Sequence, residues 1–200
     1  MKHFLFLFAF FMVIRLQAQT ETAIETAFQF QERLNKEFAD SISSPLQAED
    51  LVKFKHLDFF PVNDSYLVQA EFIKIKGGKV FQMKTSTDRL PKYKVYGLLR
   101  FELDGKKLEL FVYQNQELKK KKGYEDYLFL PFTDYTNGVE TYGAGRYIDM
   151  RIPKTNMVIL DFNKAYNPYC AFNKRYSCPV VPSENDLPIE IRAGVKKFHD

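Results

Sequence analysis

The chain has 200 residues, 46% of them hydrophobic and 16% aromatic, with a formal net charge of +4. That is enough apolar material to fill one core without relying on cross-links. Loss of Lys2 and Arg15 with a leader would leave a formal +2, which excludes a nucleic-acid binder by bulk charge.

The chain opens with a short positive segment, Met1-Lys2-His3, and an unbroken apolar run from Phe4 to Ile14, followed by Leu16-Gln17-Ala18. This is the layout of a secretory signal peptide cleaved near Ala18. The run is well short of the ~20 residues a membrane-spanning helix needs. No cysteine follows it to take a lipid, and no later stretch is apolar enough to span a membrane. The expected product is an exported soluble protein, periplasmic or secreted, with one domain over residues 19–200.

Glu21 to Ile42 has helical period, with Ile24, Phe28, Leu34, Phe38 and Ile42 near one face. Thr22 and Glu25 fit a capping box, and Ser44-Pro45 should stop the helix. The spacing predicts an amphipathic helix over about 21–43, packed on the domain or offered to a partner. Asp50–Pro61 adds apolar anchors at Phe54, Leu57, Phe59 and Phe60. From there the pattern turns to strands. Tyr66–Ile75 and Lys79–Thr85 flank Gly77-Gly78, which reads as a hairpin turn; Lys94–Leu103 and Lys107–Tyr113 flank Asp104-Gly105. Tyr127–Phe132 and Glu140–Ile152 flank a loop with Asn137-Gly138, Met157–Phe162 is a short buried strand, and Leu187–Ala193 is a last strand or extended piece. Many short strands with tight turns and no alternating helices predict a mainly β fold, an antiparallel sandwich or open barrel with an N-terminal helix.

Chemistry-bearing residues concentrate late in the chain. Glu140-Thr141-Tyr142-Gly143-Ala144-Gly145-Arg146-Tyr147-Ile148-Asp149 has two glycines that let the backbone turn or approach closely, and an arginine whose planar fork suits a carboxylate or phosphate. Alternatively Arg146 pairs internally with Asp161 or Glu184. Asp161-Phe162-Asn163-Lys164-Ala165-Tyr166-Asn167-Pro168-Tyr169-Cys170-Ala171-Phe172 mixes short polar side chains with aromatics, the composition of a shaped loop or a pocket rim. Asn167-Pro168 and Cys178-Pro179 are places for a cis bond. Cys170 and Cys178 are the only cysteines. An exported address favours a disulfide between them, with free thiols as the alternative. Their spacing and the scarcity of other ligands argue against zinc, and no metal or cofactor is expected. Lys119–Lys122 reads as a solvated edge or, less simply, a contact for an anionic partner. Only His56 and His199 lie beyond the leader, so imidazole-dependent nucleophilic catalysis has little to work with. Carboxylate chemistry stays open through Asp149, Asp161 and Glu184, with Glu140 a further acid.

The order Glu-Thr-Tyr-Gly-x-Gly-Arg-Tyr, then Asp-Phe-Asn-x-Ala-Tyr-Asn-Pro-x-Cys-Ala-Phe, then Cys-Pro-x-x-Pro-x-Glu-Asn and Ala-Gly-x-Lys resembles the uncharacterised family 1684 of the domains of unknown function. The resemblance runs from about Ser44 to Lys197 and includes Phe60-Pro61 and Tyr96-Gly97. Tyr169 and Val181 stand where the family pattern implies proline, and Val195 where it implies glutamate. The resemblance implies no activity. It does point away from a purely structural disulfide and towards a buried or chemically useful thiol pair, because members that look cytoplasmic keep the same cysteines.

Taken together, Arg146, Asp161, Asn163, Tyr166, Asn167, Cys170, Cys178, Glu184 and Asn185 are expected to converge at one end of the sheet. The function expected is binding of a small polar or anionic ligand, with Arg146 as the anion fork and Asn163, Tyr166, Asn167 and Asn185 fixing orientation. The alternatives are a hydrolase using two of Asp149, Asp161 and Glu184, and an envelope interaction or scaffold protein.

Overall fold

The computed structural model describes residues 25–198. The expected signal peptide, its cleavage point near Ala18, and His199 lie outside the described residues. No described helix is long and apolar enough to cross a membrane.

The fold is mainly β: seven antiparallel strands form one curled half-barrel sheet, with an N-terminal helix packed across it. The strands are β1 (Leu67–Lys74), β2 (Val80–Gln82), β3 (Lys92–Leu103), β4 (Lys106–Asn115), β5 (Tyr127–Phe132), β6 (Arg146–Arg151) and β7 (Met157–Asp161). Their order is β6-β5-β4-β3-β1-β7, with β2 also on β3. Of the two expected architectures the open barrel is the one adopted.

Helix α1 spans Ala27–Ala39, shorter than the expected 21–43. The capping box forms four residues later than the Thr22–Glu25 pair suggests. Thr26 takes the Gln29 N–H on its hydroxyl, and Gln29 Oε1 takes the Thr26 N–H. Glu25 is instead an ion-pair partner of Arg33 at 2.8 Å. Phe30, Leu34 and Phe38, at i, i+4 and i+8, form the buried stripe, whereas Phe28 and Ile42 are exposed. A second short helix, α2 (Ala48–Lys53), follows.

The Asp104-Gly105 hairpin forms as expected. Both residues have positive φ, 51° and 70°, which a tight turn matched to strand twist requires. In it Leu99 faces Leu110 and Phe101 faces Leu108 on the core side, while Arg100 and Glu109 pair outside at 2.6 Å. The Gly77-Gly78 hairpin does not form. β1 and β2 both run antiparallel to β3, β1 along Gly97–Phe101 and β2 along Lys92–Lys94. They lie end to end along the same side of β3, because the long strand β3 pairs with both and leaves neither free to fold back on the other.

Two further expectations are corrected. Glu140–Ile152 is a strand only from Arg146, because Thr141 and Tyr142 fold back on the preceding loop, where Asn137 Nδ2 donates to Thr141 Oγ1 and Tyr142 O and the Gly138 N–H donates to Thr141 O; that loop is itself held by Asp134. Thr136 N–H, the Thr136 hydroxyl and Ile191 N–H all donate to Asp134 Oδ1. Leu187–Ala193 is extended but forms no ladder. It is held by Tyr135 N–H to Ile189 O and Leu187 N–H to Thr133 O, and by Arg146. Peptide bonds are trans throughout the described residues, those before Pro168 and Pro179 included.

The main core lies inside the curl, where Leu99, Leu110, Val112, Leu128, Leu130, Phe132, Leu160, Phe162 and Ile191 are all buried. Phe162 stacks edge-on to Phe132 at 5.4 Å and tilts on Phe101 at 5.7 Å. After β7 the chain returns to β6, where Tyr147 and Tyr166 exchange backbone hydrogen bonds of 2.9 and 3.0 Å.

β4 and β5 pair at only one register position, Tyr113 with Phe129, and Pro131 has no N–H to extend the ladder. Asn185 fills the gap. Its Oδ1 accepts the Phe111 N–H at 2.8 Å, and its Nδ2 donates to Phe111 O at 2.9 Å and Pro131 O at 2.6 Å. Asn185→Ala leaves those buried backbone groups unpartnered. It is expected to lower unfolding free energy by about 2–4 kcal/mol, read as a lower urea midpoint at unchanged slope.

Candidate functional site

Strand alternation builds the site. In the β5–β6 pair, Leu128, Leu130, Phe132, Arg146 and Ile148 point into the main core. Their neighbours Tyr127, Phe129, Tyr147 and Asp149 point to the opposite face. Tyr93 of β3 joins that face, and Phe30 and Leu34 of α1 cover it. The segment after β7 adds Tyr166, Tyr169, Tyr176 and Cys178. Together they line a cleft of about 330 Å³.

The aromatic rings hold one another. Phe129 meets Tyr147 edge-on at 4.6 Å, Tyr147 meets Tyr166 at 5.9 Å and a right angle, and Tyr93 tilts on Phe129 at 5.7 Å. The Tyr147 hydroxyl donates to Pro179 O, tying the C-terminal loop to β6. Asp149 stands among these rings. The hydroxyls of Tyr127 and Tyr166 both donate to its Oδ1, each at 2.6 Å. Its Oδ2 has no donor among the described residues, and no described cation pairs with the carboxylate. At the cleft's rim Arg33 bonds Glu37 at 2.8 Å as well as Glu25, so these charges satisfy each other. Asp149 therefore carries the cleft's uncompensated charge.

Burial raises the pKa of Tyr127, Tyr147 and Tyr166 well above the ordinary tyrosine value. The Asp149 carboxylate adds to the shift for Tyr127 and Tyr166. The hydroxyls stay protonated and stay donors.

The expected convergence is only partly met. Asp149, Tyr166 and Cys178 line the cleft; Cys170 abuts it through its contact with Cys178. Arg146 is not an anion fork. It is 0% exposed, and its partner is neither Asp161 nor Glu184 but Asp134, at 2.8 Å. Nη1 and Nη2 also donate to Ala193 O and Ile191 O, while Nε is buried without a partner among the described residues. Asn163 holds the Asn63 backbone in both directions at 3.0 Å, Asn167 donates to Lys196 O at 2.8 Å, and Asn185 bridges β4 and β5. All three are buried and work for the fold.

The expected carboxylate pair does not assemble. Asp161, on β7, lines a separate cavity and accepts from Asn163, whereas Glu184 lies beside Tyr113 and lines neither cavity. Glu140 pairs with Arg192 at 2.8 Å. His56 is exposed and its Nδ1 contacts its neighbour Leu57 O. Lys120 pairs with Glu117 at 2.9 Å in a short turn between β4 and β5. Val195 is buried in the α1 cluster with Phe30, Leu34 and Phe38 and does not line the cleft. No group of metal-ligating residues occurs among the described residues.

Sequence reasoning missed Tyr93, Tyr127, Phe129, Tyr147 and the α1 wall. A usable signal was present: Tyr127-x-Phe129 and Tyr147-x-Asp149 put aromatics and one carboxylate on the strand face opposite the aliphatic one. In an alkaline absorbance titration of the folded protein, these tyrosines should not ionise near pH 10, where tyrosines of the unfolded chain do. The unfolded state then releases protons that the folded state keeps, so stability should begin to fall above about pH 10.

The sequence profile described as Protein of unknown function (DUF1684) matches residues 52–196. The solution NMR structure of an uncharacterized protein from gene locus rrnAC0354 of Haloarcula marismortui is similar, with a TM-score of 0.66 at 29% identity, covering 83% of this chain and 89% of that one. No curated protein matches significantly.

Proposed function

Because the chain belongs to the family described as Protein of unknown function (DUF1684), which carries no activity to inherit, we propose a function from the cleft itself: binding of a small organic cation with an apolar or aromatic body. The supporting observation is Asp149, a carboxylate with one oxygen free of protein donors, set among Tyr93, Tyr127, Phe129, Tyr147 and Tyr166. Aromatic faces attract cations through the ring quadrupole, and tyrosines flanking a carboxylate add to its field. The volume, about 330 Å³, suits a ligand near the lower end of the usual range.

The polar ligand expected from the sequence is kept in this reading; the anionic one is not. Arg146 is spent on Asp134 and two carbonyls, and the cleft's own charge is negative. The apolar run Phe4–Ile14 supports an exported address for this binding domain.

The test is calorimetric titration with phenethylammonium and, separately, with phenylacetate, an anion of similar size and shape. The ammonium should bind and the carboxylate should not. Asp149→Asn should weaken ammonium binding by about 10–50-fold, the effect of losing a charge-assisted hydrogen bond. Preference for the anion, or ammonium binding unchanged in Asp149→Asn, contradicts the proposal.

A further inference from the structure

The cleft's binding chemistry leaves the cysteines unused. Cys170 lies in a short turn, Tyr169–Ala171, and is half-buried; Cys178 is buried on the cleft wall, and both thiols are free. The chain between them turns back so that the Cys170 N–H donates to Cys178 Sγ at 3.1 Å. Two other segments close around the pair. Tyr142, just before β6, brings its hydroxyl to 4.0 Å from Cys170 Sγ. Ser86 accepts the Cys178 N–H at 3.1 Å. Arg89, in the same loop as Ser86, holds the residue before Cys178, donating to Ser177 Oγ at 3.0 Å and Ser177 O at 2.7 Å. Cys170 is a half-buried thiol beside a second thiol and the Tyr142 hydroxyl, with the Arg89 guanidinium on the Cys178 side of the pair, and partly exposed cysteines in such surroundings are the ones that react.

We propose that Cys170 and Cys178 form a redox-active dithiol that exchanges with small organic disulfides, Cys170 attacking and Cys178 resolving. The Cys170 thiolate attacks one sulfur of the disulfide, the S–S bond breaks, and one thiolate leaves and takes up a proton. Cys178 then loses its proton and attacks the Cys170 sulfur, expelling the second thiolate. The sum is protein dithiol plus one disulfide giving protein disulfide plus two small thiols. Two electrons pass from protein to reagent. Exposure assigns the order, since Cys170 is the half-buried residue and Cys178 the buried one. Proton sharing agrees: hydrogen bonds from Cys178, Tyr142 and Ser86 hold the Cys170 thiol down to about 6, while Cys178, facing that sulfur, is pushed up. The shift favours the Cys170 thiolate over the Cys178 thiolate, which matches the order of attack.

The experiment treats reduced protein with oxidised glutathione, quenches with acid, and reads the intact mass. Wild type should lose two hydrogens and retain no adduct. Cys178→Ser should accumulate one glutathione on Cys170, and Cys170→Ser should react at least about tenfold more slowly, as a buried thiol does. The wild type unreacted, a persistent wild-type adduct, or equal rates for the two variants would overturn the proposal. A measurement without variants guards against misfolding: the alkylation rate of wild type against pH should rise with a midpoint near 6. The groups facing Cys170 are Cys178, Tyr142 and Ser86, with Arg89 acting on Cys178. A midpoint at the ordinary thiol value of about 8.5 contradicts it. These readouts are made with no cleft ligand added, so their failure is distinct from failure of the cation-binding reading.

Discussion

The buried ion pair between Arg146 and Asp134 is the interaction on which the fold leans most. Both side chains are wholly enclosed. A charge taken out of water costs several kcal/mol unless its partner and hydrogen bonds are well placed. Here the carboxylate accepts from Thr136, Ile191 and Arg146, and the guanidinium also holds Ile191 O and Ala193 O and lies 5.3 Å from the Phe132 ring. The C-terminal segment has no ladder of its own, and this pair replaces one. The neighbouring glycines show how tightly the chain is drawn in. At Gly145, φ is +94° and a Cβ would lie 2.6 Å from Phe132 O; at Gly194, φ is +77° and a Cβ would strike Ala165 O.

One consequence reaches the cleft. Arg146, Tyr147, Ile148 and Asp149 are consecutive on β6, so the strand's period of two sends the first and third inward and the second and fourth to the cleft. The pair that anchors Arg146 therefore sets the orientation of Asp149. A slip of one residue would put Asp149 in the aliphatic core and Arg146 in the cleft. Core packing and cleft lining share four residues but divide them cleanly by face.

The β character, the Asp104-Gly105 turn and the positions of the short strands β5 and β7 were legible because each rests on local pattern or turn chemistry; β7, expected to be buried, is an edge strand with Met157 and Ile159 exposed. The Gly77-Gly78 turn misled because pairing partners are chosen by a distant strand. The helix start was misplaced because Thr26 with Gln29 makes a capping box as well as Thr22 with Glu25 could. The site was legible in place but not in roles. The Gly-x-Gly-Arg motif and the asparagine-rich stretch stood out because their polar side chains are needed in fixed positions, yet that need is structural for Arg146, Asn163, Asn167 and Asn185. Asp134 drew no attention, since its importance comes from residues 146 and 191–193, far along the chain. The cleft tyrosines looked like ordinary strand residues until register placed them on one face.

The central claim is that the motif arginine serves the fold through Asp134 and leaves Asp149 to serve the cleft. A urea-unfolding cycle of wild type, Asp134→Leu, Arg146→Met and the double substitution tests it most directly. Each single change should cost about 3–5 kcal/mol, because it strands a buried charge, and the double change should cost much less than their sum. Single variants within about 0.5 kcal/mol of wild type, as expected of surface positions, would contradict the account.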